Sequence, residues 1–186
     1  MLDVPLGAGG SAGNGLGNYA VLNPILQNAW WAGPNRGSIS NGNLTLSQNN
    51  GTAFSTFDVS TTGKWYLEGT VTSYGQATNA SQFIVSARAR STYEISYLAT
   101  GQKQVNGVNS AYGSSWTTGD VIGIAIDPAN NQVTFYKNNV SQGAVSNTFP
   151  SETVLVGYYA EASGTDTLNF NFGQRPWAYT PPTGFK

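Results

Sequence analysis

Neither cysteine nor histidine occurs among the 186 residues. Without thiols there is no disulfide framework and no thiolate metal site. Without imidazole the commonest general base and the usual ligands of zinc and copper are missing as well. Any catalysis would therefore rest on carboxylates, Lys, Ser, Thr or Tyr. Charge is scarce too, at 9% of residues, against about 25% in ordinary soluble domains. Eight Lys and Arg stand against nine Asp and Glu, a net charge of −1. That balance excludes nucleic acid as a partner, because displacing counterions from phosphates takes a basic stripe. The nearest approach to a basic cluster is the pair Arg88 and Arg90. No apolar run comes near the roughly 20 residues that span a bilayer, and the N-terminus lacks the basic start and apolar core of a signal peptide. The expectation is a soluble, unprocessed chain with no membrane contact, no metal and no cofactor.

What the chain has instead is Asn, Ser, Thr, Gln and Gly for surface polarity, with 12% aromatics. Strands and turns suit that mixture better than helices do, since Lys, Glu and Arg are rare while β-branched, aromatic and turn-forming residues abound. At this length the chain is the size of one domain, able to bury roughly 70% of its unfolded surface.

Residues 1–18 carry Gly at positions 7, 9, 10, 13, 15 and 17, too much backbone freedom to fold alone. They are expected to form an extended N-terminal arm, held either by a neighbouring molecule or along the domain that follows at 19–186. From Tyr19 onward short apolar alternations are separated by Asn, Gly, Ser and Thr clusters, the pattern of an antiparallel β-sandwich. Strands are predicted at 43–47, 53–59, 64–73, 82–89, 93–98, 121–127, 132–137, 153–160 and 166–172. Within 64–73, Trp65, Leu67 and Val71 share one side and Tyr66, Glu68, Thr70 and Thr72 the other, which predicts a half-buried strand. Residues 121–127 (VIGIAID) are apolar on both faces and predict a central strand. Between Leu98 and Val121 the reading is one long loop, relieved mainly by Val105 and Tyr112, and loops of that length are usually functional. Prolines in the last stretch, RPWAYTPPTGFK, argue against further sheet pairing there.

Three stretches resemble the SPRY family, a concanavalin-like bent sandwich used for protein recognition. GKWYLEGTV at 63–71 is similar to the family's GKWYWEV strand. Residues 110–140, SAYGSSWTTGDVIGIAIDPANNQVTFYKNNV, are similar to its run of Trp, Gly-Asp, buried strand, Asp turn and FYKNG hairpin. The final LNFNFGQRPWAYTPPTGFK at 168–186 resembles SPRY-type modules in tailed-phage structural proteins. With NYAVLNPI and ISNGNLTLS the likeness covers about 19–186. Two departures stand out: Phe83–Ala89 replaces a Gly-Val-Ala-Ser type strand, and the hairpin reads Asn138-Asn139 where the family has Asn-Gly. Asn tolerates the left-handed backbone that Gly supplies, so the hairpin is expected to survive. The resemblance implies core positions for Trp65, Trp116 and Trp177, and turn-forming roles for Asp120 and Asp127.

Sandwiches of this general shape include glycosidases that work with two carboxylates about 5–10 Å apart. The acids here, Glu68, Glu94, Asp120, Asp127, Glu152, Glu161 and Asp166, are isolated from one another, and no enzyme is expected. Asp127 with Asn130 and Asn131 is the nearest thing to a Ca²⁺ loop, but a plain turn explains it better. Asn-x-Ser/Thr matches at Asn43, Asn50, Asn79 and Asn139 are what an Asn-rich chain produces by chance.

Binding candidates are the aromatic and cationic side chains outside those motifs. Trp30 and Trp31, followed by Arg36, belong to no family motif; one of the two Trp is expected exposed, either to bind or to cap the domain's own edge. Arg88 and Arg90, with Tyr74 and Tyr112 in flanking loops, suit an interface rim, or else form a solvated face. The resulting expectation is a non-enzymatic virion protein, a decoration, fibre or tail-associated component, assembled in the host cytoplasm in multiple copies. It would contact capsid or tail subunits, or a host-surface protein or glycan. The rival readings are a carbohydrate-binding, lectin-like module and a glycan-degrading enzyme.

Overall fold

The computed structural model describes residues 19–25, 37–60, 63–75, 81–87, 93–160 and 164–186. The arm at 1–18, Trp30, Trp31, Arg36, Arg88 and Arg90 lie outside the described residues. Among the described residues the strands are β1 (Ser38–Ser40), β2 (Thr45–Gln48), β3 (Gly51–Asp58), β4 (Trp65–Ser73), β5 (Gln82–Ala87), β6 (Glu94–Leu98), β7 (Gln102–Val105), β8 (Val108–Ala111), β9 (Val121–Asp127), β10 (Gln132–Lys137), β11 (Val140–Ser146), β12 (Val154–Ala160) and β13 (Asp166–Asn171). The single helical turn described, Pro128–Asn130, links β9 to β10.

The strands form two antiparallel sheets. One runs β1-β2-β13-β4-β9-β10-β11 and the other β3-β12-β5-β6-β7-β8. Between them lies one apolar layer with Leu46, Val71, Phe83, Tyr97, Phe135 and Phe170 fully enclosed. Alternation accounts for this: Leu46, Leu168 and Val71 meet in register across β2, β13 and β4 and face inward, so Thr45, Asn169 and Thr70, in the next register rank, face out. β9 occupies the predicted central place, paired with β4 on one side and β10 on the other. Phe83 packs edge-on against Trp116, Tyr158 and Phe170, the arrangement aromatic quadrupoles favour.

Two expectations need correcting. The long loop between Leu98 and Val121 contains a hairpin, β7 and β8, joined by Asn106 and Gly107, both at positive φ (48° and 83°) as a two-residue turn requires. β11 is the second strand of the hairpin expected at Asn138-Asn139, whose φ values of 48° and 69° make the same kind of turn. β4 is not half-buried along its whole length: at its start Tyr66 and Glu68, on the outer face, are as enclosed as Trp65 and Leu67 on the inner.

The cover on that outer face is the segment 174–186, which crosses the seven-stranded sheet as a strap. Trp177 lies on it, half-buried and outside the core that the resemblance implied for it, edge-on to Tyr66 with ring centroids 5.2 Å apart. Trp65 and Trp116 do sit in the core. The strap's prolines keep it out of the ladder until its last residue. Beyond Asn171, which pairs with Glu68, β13 no longer flanks β4. There the Tyr66 amide donates to the Lys186 carbonyl (2.9 Å) and the Lys186 amide to the Lys64 carbonyl (3.1 Å), filling the vacant edge.

Candidate functional site

One end of the sandwich gathers Tyr74, the turn at Ala99–Gly101, the connection 112–120, the tip of the β10–β11 hairpin, and Asp166. Its centre is residues 112–120, which are irregular but tied down at nearly every step. Gly113 donates its amide to the Gly101 carbonyl (2.8 Å), Trp116 to Ala99 (3.1 Å) and Gly119 to Val71 (2.8 Å). The Ser114 amide donates to Gln142 Oε1 (2.8 Å), its carbonyl accepts from the Tyr97 hydroxyl, and the Ser115 carbonyl accepts from Lys137 Nζ (2.7 Å). Trp116 is the buried anchor in the middle. The side chains of Ser114, Ser115, Thr117 and Thr118 remain exposed, beside Asn138, Asn139 and a 64% exposed Val140.

Tyr112 and Tyr74 both belong to this end. Tyr112 bridges the two sheets: its hydroxyl donates to the Gly143 carbonyl and accepts from the Phe135 amide (3.3 Å). Those two backbone groups are the ones left over where the β10–β11 register slips between Thr134 and Tyr136, so a hydroxyl from the other sheet satisfies a β-bulge. Burial pushes the Tyr112 phenol up to about 12. Lys103 Nζ lies 5.5 Å from the centroid of the Tyr112 ring. Tyr74 stands edge-on to Trp116 at 5.3 Å, and its amide donates to Thr118 Oγ1 (2.8 Å). The structure therefore brings Tyr74 and Tyr112 to one end, Tyr74 against Trp116 and Tyr112 against Tyr97 and Phe135.

The carboxylates described at this end are occupied. Asp120 accepts from the Thr117 amide (2.8 Å) and Asn138 Nδ2 (2.7 Å) and lies 3.3 Å from Lys137 Nζ. Asp166, fully enclosed, accepts from Ser81, Tyr158 and the Gly75 amide. Beside Asp166 the Tyr158 phenol is pushed far up by burial first and the carboxylate second. At the opposite end Asp127 pairs with Lys64 Nζ at 2.9 Å and accepts from Asn130, both amide (3.3 Å) and side chain (2.8 Å). The Lys64 ammonium leads in holding its carboxyl below the usual range, and Asn130 adds to it against the effect of burial. Asp120 and Asp127 thus have the turn-forming roles the family pattern implies. Among the described residues no group of three or more carboxylates is placed to hold a metal ion.

Sequence reasoning did not single out Gln142 or Lys137, which fix the backbone of 112–120 from β11 and β10. Their partners lie 28 and 22 residues away, and no local spacing rule reaches that far.

Two bent antiparallel sheets, face to face around one aromatic layer and displaying tethered connections at one end, define a concanavalin-like β-sandwich. The chain belongs to the SPRY family, whose domain model matches residues 56–175. It is similar to an E3 ubiquitin-protein ligase, RKP, of Arabidopsis thaliana, 32% identical over 133 residues, which covers 67% of this chain and 10% of that protein. A second relative is the ATP-dependent RNA helicase Ddx1 of Drosophila melanogaster, 30% identical over 130 residues, covering 66% of this chain and 17% of that one. The chain spans less than a fifth of either relative. Among solved structures, the SPRY domain of human HERC1 superposes with a TM-score of 0.66 at 16% identity, over 83% of this chain and 99% of that one. Stonustoxin gives 0.63 at 12% identity, over 82% of this chain and 27% of that one. Those two likenesses show the shared fold.

Proposed function

We propose that this SPRY domain is a non-catalytic recognition module that grips another protein with the end of the sandwich formed by 112–120, the Asn138-Asn139 hairpin and Tyr74. The observation that carries this reading is the state of residues 112–120: a main chain fixed from both sheets that leaves the small, uncharged side chains of Ser114, Ser115, Thr117 and Thr118 exposed. Such a surface loses little conformational entropy on binding, which is where much of the cost of association lies. The carboxylates Asp120, Asp127 and Asp166, engaged with backbone or Lys, are consistent with a module that performs no hydrolysis.

The setting we propose is a tailed-phage virion, with capsid or tail subunits as partners. The support is the resemblance of 168–186 to modules in phage structural proteins. Mass spectrometry of purified particles is the first test, and absence of the chain from them would refute the setting. The second is incorporation of Ser115→Arg and Thr117→Arg variants. Charge introduced at the rim is expected to reduce incorporation by tenfold or more, taking about 1.4 kcal/mol as a factor of ten. Normal incorporation would move the contact elsewhere. Specific glycan-array binding abolished by the same two substitutions would instead make the module a lectin-like one.

A further inference from the structure

The strap rests on the sheet in the way a bound peptide rests in its receptor. Glu68 is only 2% exposed, and its two oxygens accept from consecutive strap amides, Ala178 (2.8 Å) and Tyr179 (3.0 Å). Asn171, 4% exposed, donates from Nδ2 to the carbonyls of Arg175 (3.2 Å) and Pro176 (3.1 Å). The sheet therefore reads strap amides with a carboxylate and strap carbonyls with an amide. Trp177 packs on Tyr66, and the far end closes by pairing Lys186 with β4. Tyr66 itself lies over Gly123, where a Cβ would meet its ring carbons at 3.0 Å. Main-chain recognition with one aromatic anchor is how extended peptides are commonly bound.

We infer that the outer face around Tyr66, Glu68 and Asn171 is a peptide-binding groove, filled here by the chain's own residues 174–186, and that it accepts the same segment from a second copy. Every contact across this face is available equally to a strap arriving from another molecule, the condition for exchange between identical chains. The pivot is Gly173, whose φ of 97° suits glycine. Three short-range bonds would have to open, Phe172 amide to Gln174 Oε1 (2.7 Å), Gln174 Nε2 to the Phe170 carbonyl (3.4 Å) and Arg175 Nη2 to the same carbonyl (2.8 Å). In dilute solution the attached strap wins, because tethering gives it an effective concentration of the order of millimolar. Copies crowded into an assembly meet at comparable concentrations. The groove is separate from the loop end, so either proposal can fail alone.

Two full-length variants test this by complementation. Glu68→Ala damages the groove and leaves the strap intact; Trp177→Ala damages the strap and leaves the groove intact. Each alone is expected to sediment as a monomer, and an equimolar mixture to form a one-to-one dimer with a wild-type strap in a wild-type groove. A labelled synthetic peptide of residues 174–186 should bind the Trp177→Ala chain at least about tenfold more tightly than the wild type, whose groove is occupied. A mixture that stays monomeric, or equal peptide binding by the two chains, overturns the inference. Near-ultraviolet circular dichroism establishes that each variant is folded. Should Glu68→Ala fail that check, Asn171→Asp, which sets a carboxylate against two strap carbonyls, takes its place with the same outcomes.

Discussion

Single side chains in this protein often do their work far along the chain from where they sit. The Tyr112 hydroxyl serves two backbone groups in the β10–β11 bulge, 23 and 31 residues on. Replacing it with Phe removes the hydroxyl and leaves both groups short of a partner, which should cost about 1–2 kcal/mol. A lower urea midpoint at unchanged slope would show this. Asp127 makes a pH-dependent contribution, to Asn130 three residues away and to Lys64 across the fold. Its carboxyl is held low in the folded chain, so the stability it supplies is fully present above the ordinary carboxylate range, near pH 4. That stability is lost as pH falls through the folded value. Asp127→Asn should therefore be less stable than wild type at neutral pH and flatten the acid limb of the stability curve. Asp120 and Asp127 were legible in the sequence because their partners, Thr117 and Asn130, lie within a turn. Glu68 was not, since its strap partners come 110 and 111 residues later.

At the level of elements, strands with one apolar face announced themselves and strands without one did not. Trp65–Ser73, Val121–Asp127 and Gln132–Lys137 alternate or are apolar throughout, and the structure places them at the predicted bounds or within one residue. Gln102–Val105, Val108–Ala111 and Val140–Ser146 have no continuous apolar face, because they lie at or next to sheet edges where little is buried. Their signal was in the turns. Asn106-Gly107 is the strongest short hairpin dipeptide, but its flanks lack the hydrophobic alternation that marks strands. The β10–β11 turn offers a direct check. Asn139 is exposed at φ 69°, so Asn139→Gly should leave stability within about 0.5 kcal/mol. Asn139→Val forces a β-branched residue into the left-handed region and should cost about 1–2 kcal/mol, read from thermal denaturation of the pair.

For the whole molecule, the density of enclosed phenols sets a limit in alkali. Burial leads in raising Tyr66, Tyr93, Tyr97, Tyr112 and Tyr158, while an unfolded phenol ionises near 10. Below that pH both states are protonated and the contribution is complete. Above it the unfolded chain sheds protons that the folded one retains, so stability falls by about 1.4 kcal/mol per pH unit for each tyrosine. The phenolate absorbance of these five tyrosines should consequently appear together with the loss of circular dichroism, in one steep step above pH 10. Loss of circular dichroism with no accompanying rise in phenolate absorbance would contradict that. The sheet order has a further consequence, for biosynthesis. β12 lies between β3 and β5, and β13 between β2 and β4, so strands made last complete both layers. The nascent chain holds β3 without its sheet neighbour until residue 160 has left the ribosome and the β1–β2 pair until residue 171 has, and the sandwich closes only as translation of this stretch finishes.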